Sequence, residues 1–244
     1  MKNQDIIFGR RPVIESLKSG KTIEKIFIQK NISNELISLV KEFSKEKKVN
    51  ISVVPKEKLN RMTRKNHQGI ICITSPISYQ PIDEIVHRCY ESGKDPLILI
   101  LDRITDTRNF GAITRVAEAS QVDAIVVPEK ETALISSDAV KSSAGAINYI
   151  PICKSNRLVD EINKLKESGL KIFSCSEKGE EDIYSVDLNI PACIILGSEK
   201  DGISNSLLEL SDKIIKIPMF GKVSSLNVAT SSAVILFESV RQRN

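Results

Sequence analysis

The chain has 244 residues, of which 41% are hydrophobic and 27% charged, and its formal net charge is +4. This composition is typical of a globular protein and excludes a collagen-like, coiled-coil or disordered chain. No apolar run approaches the ~18 residues that a membrane-spanning helix needs. The first residues also lack the apolar core of a secretory signal. We therefore expect a cytoplasmic protein that does not enter a membrane.

The five cysteines lie far apart and form no C-x-x-C pair, which argues against a zinc site and a disulfide framework. We expect them to pack as small hydrophobic residues, because most stand in or beside apolar runs. The only histidines are His67 and His87. We therefore expect no bound metal, and few conventional general bases are available.

Charge is unevenly distributed along the chain. Residues 1–78 carry 16 Lys and Arg against 7 Asp and Glu, whereas residues 96–244 carry 17 against 20. A basic part ahead of a mildly acidic remainder is typical of a polyanion-binding module attached to a second domain. Lys-rich faces that are merely solvated would give the same counts, so charge alone leaves both interpretations open.

Short helix and strand signals alternate over residues 1–78. Arg11-Pro12 opens a helix that Gly20 is placed to close. The later elements are predicted as a strand at 23–28, a helix at 34–47, a strand at 49–54, a helix at 55–62 and a strand at 70–74. This pattern predicts a small α/β domain, which a linker and connecting helix at 79–95 join to the rest.

From residue 96 the pattern indicates a doubly wound α/β domain over 96–244. Residues 96–101 form a continuous apolar run, as in a strand buried on both faces of a parallel sheet. Further strands are predicted at 123–127, 149–152, 170–175, 192–196 and 213–217. Helices are predicted at 109–120, 157–168, 205–210 and 226–241. This alternation predicts a parallel sheet covered by helices.

Three predicted strand ends carry polar loops, at the edge where ligands of parallel sheets bind. The loops are DRITDTRNFG (102–111), GSEKDG (197–202) and PMFGKVSSLN (218–227). Each runs from a strand into a helix, so backbone N–H groups are available to a ligand. None is a P-loop or a dinucleotide fingerprint, and each taken alone is compatible with an ordinary tight turn.

Together these stretches resemble the three motifs of the SpoU-type RNA ribose methyltransferases, members of the SPOUT superfamily. The matching residues are NFGAITR (109–115), LGSEKDG (196–202) and IPM through SLN (217–227), in the family's order, and KSSAGA (141–146) also fits. Phe8-Gly9-Arg10 and His67-Gln68-Gly69 resemble parts of the substrate-binding domain that precedes the catalytic one. The resemblance covers nearly the whole chain. One departure is Thr107, where the family often has proline.

The resemblance implies a particular fold and cofactor. The C-terminal domain would thread through a loop to form a deep trefoil knot, an exception to the rule that chains avoid knots. The first domain would be a ribosomal-protein-like RNA-binding fold. The family binds S-adenosylmethionine with the knot loops, uses no metal, and acts as a homodimer with its sites at the subunit interface.

Carried over position by position, the resemblance supplies candidate site residues. The catalytic candidates are Asn109, Arg115, Glu199, Ser225 and Asn227. The cofactor-binding candidates are Gly197, Glu199, Gly202, Ile217, Met219 and Leu226. The candidates for RNA binding are basic residues of the first domain and a histidine: Arg10, Arg11, Arg61, Arg64, Lys65 and His67.

The implied reaction moves a methyl group from S-adenosylmethionine to a ribose 2′-hydroxyl, which must lose its proton as the bond forms. A guanidinium is effectively always protonated. We therefore expect Arg115 to stabilise the developing alkoxide and to grip the adjacent phosphate, although the family proposal makes this arginine a base.

The expected substrate is a guanosine of 23S rRNA. The same chemistry on tRNA is the nearest alternative, and another rRNA nucleotide, as in resistance-type enzymes, also remains open. A non-catalytic rRNA-binding assembly factor is the alternative from a different class. A dinucleotide oxidoreductase has little support, because the glycine fingerprint is missing.

Overall fold

In a computed structural model of the chain, residues 6–19, 21–32, 38, 40–42 and 49–244 are described. The chain divides into two compact units. One comprises Met1–Ser78 with Leu134–Asp138, and the other comprises Tyr79–Ala133 with Ala139–Asn244. No helix within the described ranges is long and apolar enough to cross a bilayer.

The first unit is built on a four-stranded mixed sheet. In chain order its elements are β1 (Ile6–Phe8), α1 (Arg10–Lys18), β2 (Ile23–Gln29), β3 (Asn50–Val54), α2 (Lys56–Met62) and β4 (Ile70–Thr74). The strand order is β1-β4-β2-β3. Strand β4 runs antiparallel to β1 and β2, and β2 runs parallel to β3.

Both faces of this sheet are buried, because alternate side chains of a strand point to opposite faces. Ile26 and Ile28 of β2 pack on one face in a cluster with residues of α1. Phe27 lies on the other face with Leu59 of α2. The consecutive apolar residues of β2 therefore contribute to two hydrophobic clusters, one on each face of the sheet.

The second unit follows the predicted alternation of strands and helices. Its first half contains α3 (Ile82–Glu91), β5 (Leu97–Asp102), α4 (Thr107–Ala119), β6 (Ala124–Pro128), most of α5 (Ser137–Ser142) and β7 (Ile152–Ser155). Its second half contains α6 (Leu158–Glu167), β8 (Lys171–Cys175), β9 (Glu181–Asp182), β10 (Ala192–Gly197), α7 (Asn205–Leu208), β11 (Lys213–Lys216) and α8 (Val228–Arg243). Single 3-10 turns lie at Ala146–Asn148 and Ile183–Ser185.

Within residues 79–244, which are described without a gap, seven strands form one sheet in the order β7-β6-β5-β10-β8-β11-β9. Every pair of neighbours is parallel. The sheet confirms the predicted α/β class. Its central pair, β5 and β10, aligns Asp102 with Gly197, which places two of the polar loops side by side. The predicted knot depends on the threading of the chain and stays a prediction.

Two helix starts differ from the predicted boundaries, and side-chain caps explain both. The Asp106 carboxylate accepts the backbone N–H groups of Arg108 and Asn109 at 2.8 and 2.9 Å, so α4 begins before Asn109. The Asn227 side chain accepts the N–H of Ala229 at 2.9 Å, so α8 begins after Leu226. Such caps satisfy backbone donors that the first helical turn leaves unpaired.

The strand predicted at 149–152 is wrong by three residues. Strand β7 begins only at Ile152, because Pro151 lacks the N–H that a sheet ladder uses. Tyr149 stands outside the strand and is largely exposed. The helix predicted at 34–47 lies mostly outside the described residues. Gly20, which was predicted to close the first helix, also lies outside them.

Candidate functional site

A cleft of about 520 Å³ lies at the carboxyl ends of β8, β10 and β11. Cavities of this size hold small-molecule ligands and cofactors. Each candidate cofactor-binding residue lines it, namely Gly197, Glu199, Gly202, Ile217, Met219 and Leu226. The lining mixes apolar side chains with backbone and polar groups, as a site for a nucleoside with a charged tail requires.

Gly197 allows the 197–203 segment to fold tightly. A Cβ on Gly197 would overlap the backbone of Gly202 and Ile203. In its absence, Ser198 and Gly202 exchange two backbone hydrogen bonds, of 3.2 and 3.0 Å. We call residues 197–203 the glycine loop; it forms one wall of the cleft.

Three of the candidate catalytic side chains meet at the rim of the cleft. The Asn227 amide nitrogen donates to Asn109 Oδ1 at 3.2 Å and also to the Glu199 carboxylate. Its own oxygen is held by the cap of α8, which identifies the amide nitrogen as the atom facing Asn109 and Glu199. We call these three residues the amide–carboxylate cluster. Its arrangement leaves the Asn109 amide nitrogen available to donate to a ligand.

Ser225 and Arg115 occupy different positions from this cluster. Ser225 is exposed and lines the cleft. Arg115 is exposed on α4, about 9 Å along the helix axis from Asn109 at 1.5 Å per residue. Within the described part of the chain, Arg115 forms no hydrogen bond or ion pair.

The residues after β8 were missed by sequence reasoning. Cys175, Ser176, Glu177 and Lys178 line the cleft, because β8 lies between β10 and β11 in the sheet. Strand order cannot be deduced from this sequence, so nothing marked that loop as a wall of the site. Burial raises the pKa of the Cys175 thiol to about 12, and Cys175 is therefore a poor nucleophile at neutral pH.

A second cavity, of about 880 Å³, lies in the first unit and is basic. Of the candidate RNA-binding residues, Arg10, Arg64, Lys65 and His67 line it together with Lys56, and among the described residues that line it there is no Asp or Glu. We call it the basic groove. Arg61 lines a different cavity, and Arg11 is exposed but lines neither.

His67 has a supporting position in the basic groove. Its ring is buried, with Nδ1 accepting the Gly69 N–H at 3.0 Å and Nε2 lying 2.9 Å from Asn60 Oδ1. Both ring nitrogens are therefore used within the protein. Burial, and then the charge of Lys56, lower the pKa of His67. The ring shapes the groove as a neutral group, while the arginines and lysines supply its charge.

Comparison with known proteins agrees with the fold and the cleft. The profile of the SpoU rRNA Methylase family matches residues 96–237. The profile described as RNA 2′-O ribose methyltransferase substrate binding matches residues 6–80. A Bacillus subtilis protein assigned to the TrmH family of tRNA/rRNA methyltransferases, YacO, is 31% identical over 243 residues, covering 100% of this chain and 98% of its own.

Two solved structures share the fold. An AdoMet-bound rRNA methyltransferase from Sinorhizobium meliloti has 24% identity and a TM-score of 0.62, over 97% of this chain and 87% of that one. The A. aeolicus TrmH/SpoU tRNA modifying enzyme has 28% identity and a TM-score of 0.56, over 66% of this chain and 84% of that one. Fold, cleft and sequence together define an RNA-methylating enzyme. The chain belongs to the SpoU family of RNA methyltransferases.

Proposed function

We propose that the protein transfers a methyl group from S-adenosylmethionine to a ribose 2′-hydroxyl of RNA, at a guanosine of 23S rRNA, in the cytoplasm. The observation that carries this proposal is the amide–carboxylate cluster at the rim of the glycine-loop cleft. The cluster places the Asn109 amide donor beside a cavity of a size that suits a nucleoside, and such a donor can orient the sugar hydroxyl that receives the methyl group.

The cleft supplies two kinds of contact for the cofactor. Ile217, Met219 and Leu226 offer apolar surface to the adenine, and the glycine loop offers backbone groups. The bound cofactor supplies a methyl group on a sulfonium sulfur, which keeps the electron pair of the broken bond. Asn109 orients the ribose hydroxyl, and the hydroxyl proton leaves to water at the exposed rim.

The basic groove is the proposed RNA-binding surface. Arg10, Lys56, Arg64 and Lys65 place four cations around one cavity, and no described carboxylate lines it. Phosphate backbones are bound by such clusters. Folded RNA is recognised largely by shape and by exposed loops. The groove therefore fits a polyanion, which explains the charge imbalance of the first unit.

Ribosomal RNA is favoured over tRNA by the extent of the two structural matches. The S. meliloti rRNA methyltransferase matches 97% of the chain, whereas the A. aeolicus tRNA modifying enzyme matches 66%. A substrate-binding unit in front of the catalytic one is thus part of the rRNA-type match.

The reaction is tested with methyl-labelled S-adenosylmethionine and unmodified 23S rRNA transcript. A 2′-O-methyl group blocks alkaline cleavage of the adjacent phosphodiester, so we expect label in alkali-resistant dinucleotides that contain guanosine. Label in mononucleotides would instead mean base methylation. Label on tRNA alone would reject rRNA as the substrate, and no label on rRNA, tRNA or pre-ribosomal particles would favour a binding factor.

The basic groove is tested by its salt dependence. Removing one phosphate contact by Arg64→Ala should weaken RNA binding and lower the slope of log K against log salt by about 0.7 for single-stranded RNA. Lys18→Ala is the matched control, since Lys18 is exposed on α1 and does not line the groove. Equal effects of the two changes would show that only overall charge matters.

A further inference from the structure

Two residues at the end of β5, Asp102 and Arg103, form hydrogen bonds to Gly202 and Ser204 at the end of the glycine loop. Neither residue lines the cleft. Asp102 is only 4% exposed, and its Oδ2 accepts the backbone N–H of Ser204 at 2.7 Å. Arg103 donates through Nη2 to the Gly202 carbonyl at 3.0 Å. Asp102, Arg103 and Ser204 line a cavity other than the cleft.

The two residues are also bonded to each other. Arg103 Nε lies 3.2 Å from Asp102 Oδ1, and Nη2 lies 3.2 Å from Oδ2. The hydrogen bond to Asp102 raises the pKa of Arg103 above its ordinary value. One guanidinium therefore bridges a buried carboxylate and a loop carbonyl, which its planar set of donors allows and a lysine ammonium does not.

Arg103 adopts a backbone conformation that glycine would adopt more easily. Its φ is +59°, in the left-handed region that is uncommon for residues with a side chain. Such strain persists only where the surroundings over-determine it, and it clusters at ligand-binding sites. In this protein the surroundings are the three hydrogen bonds of the guanidinium.

The glycine loop, which Asp102 and Arg103 hold, contains residues that form the cleft and the amide–carboxylate cluster. The Gly202 carbonyl accepts two hydrogen bonds, one from the Ser198 N–H and one from Arg103. Arg103 therefore supports the pairing of Ser198 with Gly202 that closes the loop. Glu199, between them, bonds to Asn227 in the amide–carboxylate cluster. A shift of Gly202 would therefore move the wall of the cleft.

We propose that Asp102 and Arg103 are positioning residues that hold the glycine loop in the conformation that binds S-adenosylmethionine, an inference that rests on the proposed function of the cleft. They act through the Gly202 carbonyl and the Ser204 N–H, since neither residue lines the cleft. The backbone strain at Arg103 is tolerated because its side chain orders the loop before the cofactor arrives, which removes an ordering cost from binding.

Arg103→Gly tests the positioning role. Glycine relieves the positive φ, but it removes the three guanidinium bonds and leaves the buried Asp102 carboxylate without its cation, so the melting temperature of the cofactor-free protein should fall. The Kd for S-adenosylmethionine, measured by isothermal titration calorimetry on the full chain, should rise about ten-fold for the loss of a charge-assisted hydrogen bond. The titration is run well below the melting temperature, where nearly all of the protein is folded, so a raised Kd reports the loop and not unfolding.

Gln121→Gly is the matched control. Gln121 has a φ of +58° and is exposed beyond the end of α4, so the change relieves the same kind of strain outside the cleft. We expect an unchanged Kd for this variant. A Kd for Arg103→Gly within two-fold of the unaltered protein, or an equal rise in Kd for Gln121→Gly, would overturn the positioning role.

A third variant tests the cleft itself. Leu226→Glu puts a charge on the apolar lining at a partly exposed position and should weaken cofactor binding strongly. An unchanged Kd in this variant overturns the placement of the cofactor and therefore the proposed function. A weakened Kd for Leu226→Glu beside an unchanged Kd for Arg103→Gly rejects only the positioning role.

Discussion

At the scale of single residues, Asn227 has the most constrained side chain of the candidate site. Its amide nitrogen donates to Asn109 and Glu199, while its oxygen caps α8. An amide has two N–H groups and one oxygen, so both donors and the acceptor of Asn227 are in use. Serine or threonine would cap the helix equally well, but neither could bridge the two partners. The cap and the cluster together explain an asparagine at this position.

Asn227→Asp should separate the cap from the cluster. Aspartate keeps an oxygen for the Ala229 N–H, but it loses both donors and places a second carboxylate beside Glu199. We expect the methyl-transfer rate on RNA to fall at least ~100-fold, with a melting temperature within ~3 °C of the unaltered protein. Asn189→Asp, the same change of charge at an exposed loop position, should leave the rate unchanged. Near-normal activity of Asn227→Asp would exclude the cluster from catalysis.

His67 should make the stability of the protein depend on pH. Its pKa is lowered in the folded state from the ordinary value of 6.5, so the unfolded chain takes up the proton more readily. The free energy of unfolding should therefore fall as the pH drops through 6.5 and below. His67→Gln should reduce that fall in melting temperatures measured from pH 7.5 to pH 5. His87→Gln, which alters an exposed pair with Glu91, should retain it; equal slopes in all three proteins would contradict the assignment.

At the scale of helices and strands, the contact of α4 with α5 sets the position of Asn109. Gly111 of α4 lies against Ser142 of α5, and an added Cβ would fall within 2.6 Å of the Ser142 Cβ and overlap its hydroxyl. The Ser142 hydroxyl also donates to the Thr107 carbonyl at 3.1 Å. The NFGAITR and KSSAGA stretches, which are separate in the sequence, therefore meet in one helix contact. The glycine is required by packing rather than by a turn.

Gly111→Ala should destabilise the protein by about 1–3 kcal/mol, the usual cost of overpacking a tight contact. Urea unfolding measures this free energy directly. Gly221→Ala is the control, because an added Cβ there has no atom within 4 Å. If the two variants unfold at the same urea concentration, α4 and α5 are not packed as closely as described.

Strands and helices with a clear pattern of apolar residues were predictable from the sequence. The elements that were misplaced or missed have local causes. β5 is an unbroken apolar strand and was found within one residue. β7 was misplaced because the apolar residues before Pro151 imitate a strand. The two-residue strand β9 has no pattern of its own; it pairs with β11 only because the chain passes beside it.

At the scale of the whole molecule, the position of Arg115 favours a site shared between two subunits. Arg115 is exposed on α4 and bonds to none of the described residues, whereas Asn109 belongs to the cluster at the cleft. The family resemblance implies a homodimer with its sites at the interface. We infer that Arg115 acts in the cleft of the partner subunit, where its charge can stabilise a developing alkoxide.

Hybrid dimers test this arrangement. Arg115→Ala and Asn227→Asp should each be inactive alone. Mixed and reassembled in equal amounts, they should regain about a quarter of the normal activity, because half the dimers are hybrids with one intact site of two. No recovery in hybrids whose formation has been verified, for example with two affinity tags, would place Arg115 and Asn227 in the same subunit's site.

The sequence by itself determined the α/β class and the polar loops at three strand ends, and its resemblance to the SpoU motifs supplied the candidate residues of the cleft. These are local properties, since apolar periods, turns and short motifs are written in neighbouring residues. The tertiary structure alone decided that β8 lies between β10 and β11 and so adds Cys175–Lys178 to the cleft. It also decided that Asn227 meets Asn109 across 118 positions of the chain, and that Arg103 reaches Gly202. Such contacts depend on strand order and side-chain geometry, which arise only when distant segments pack together.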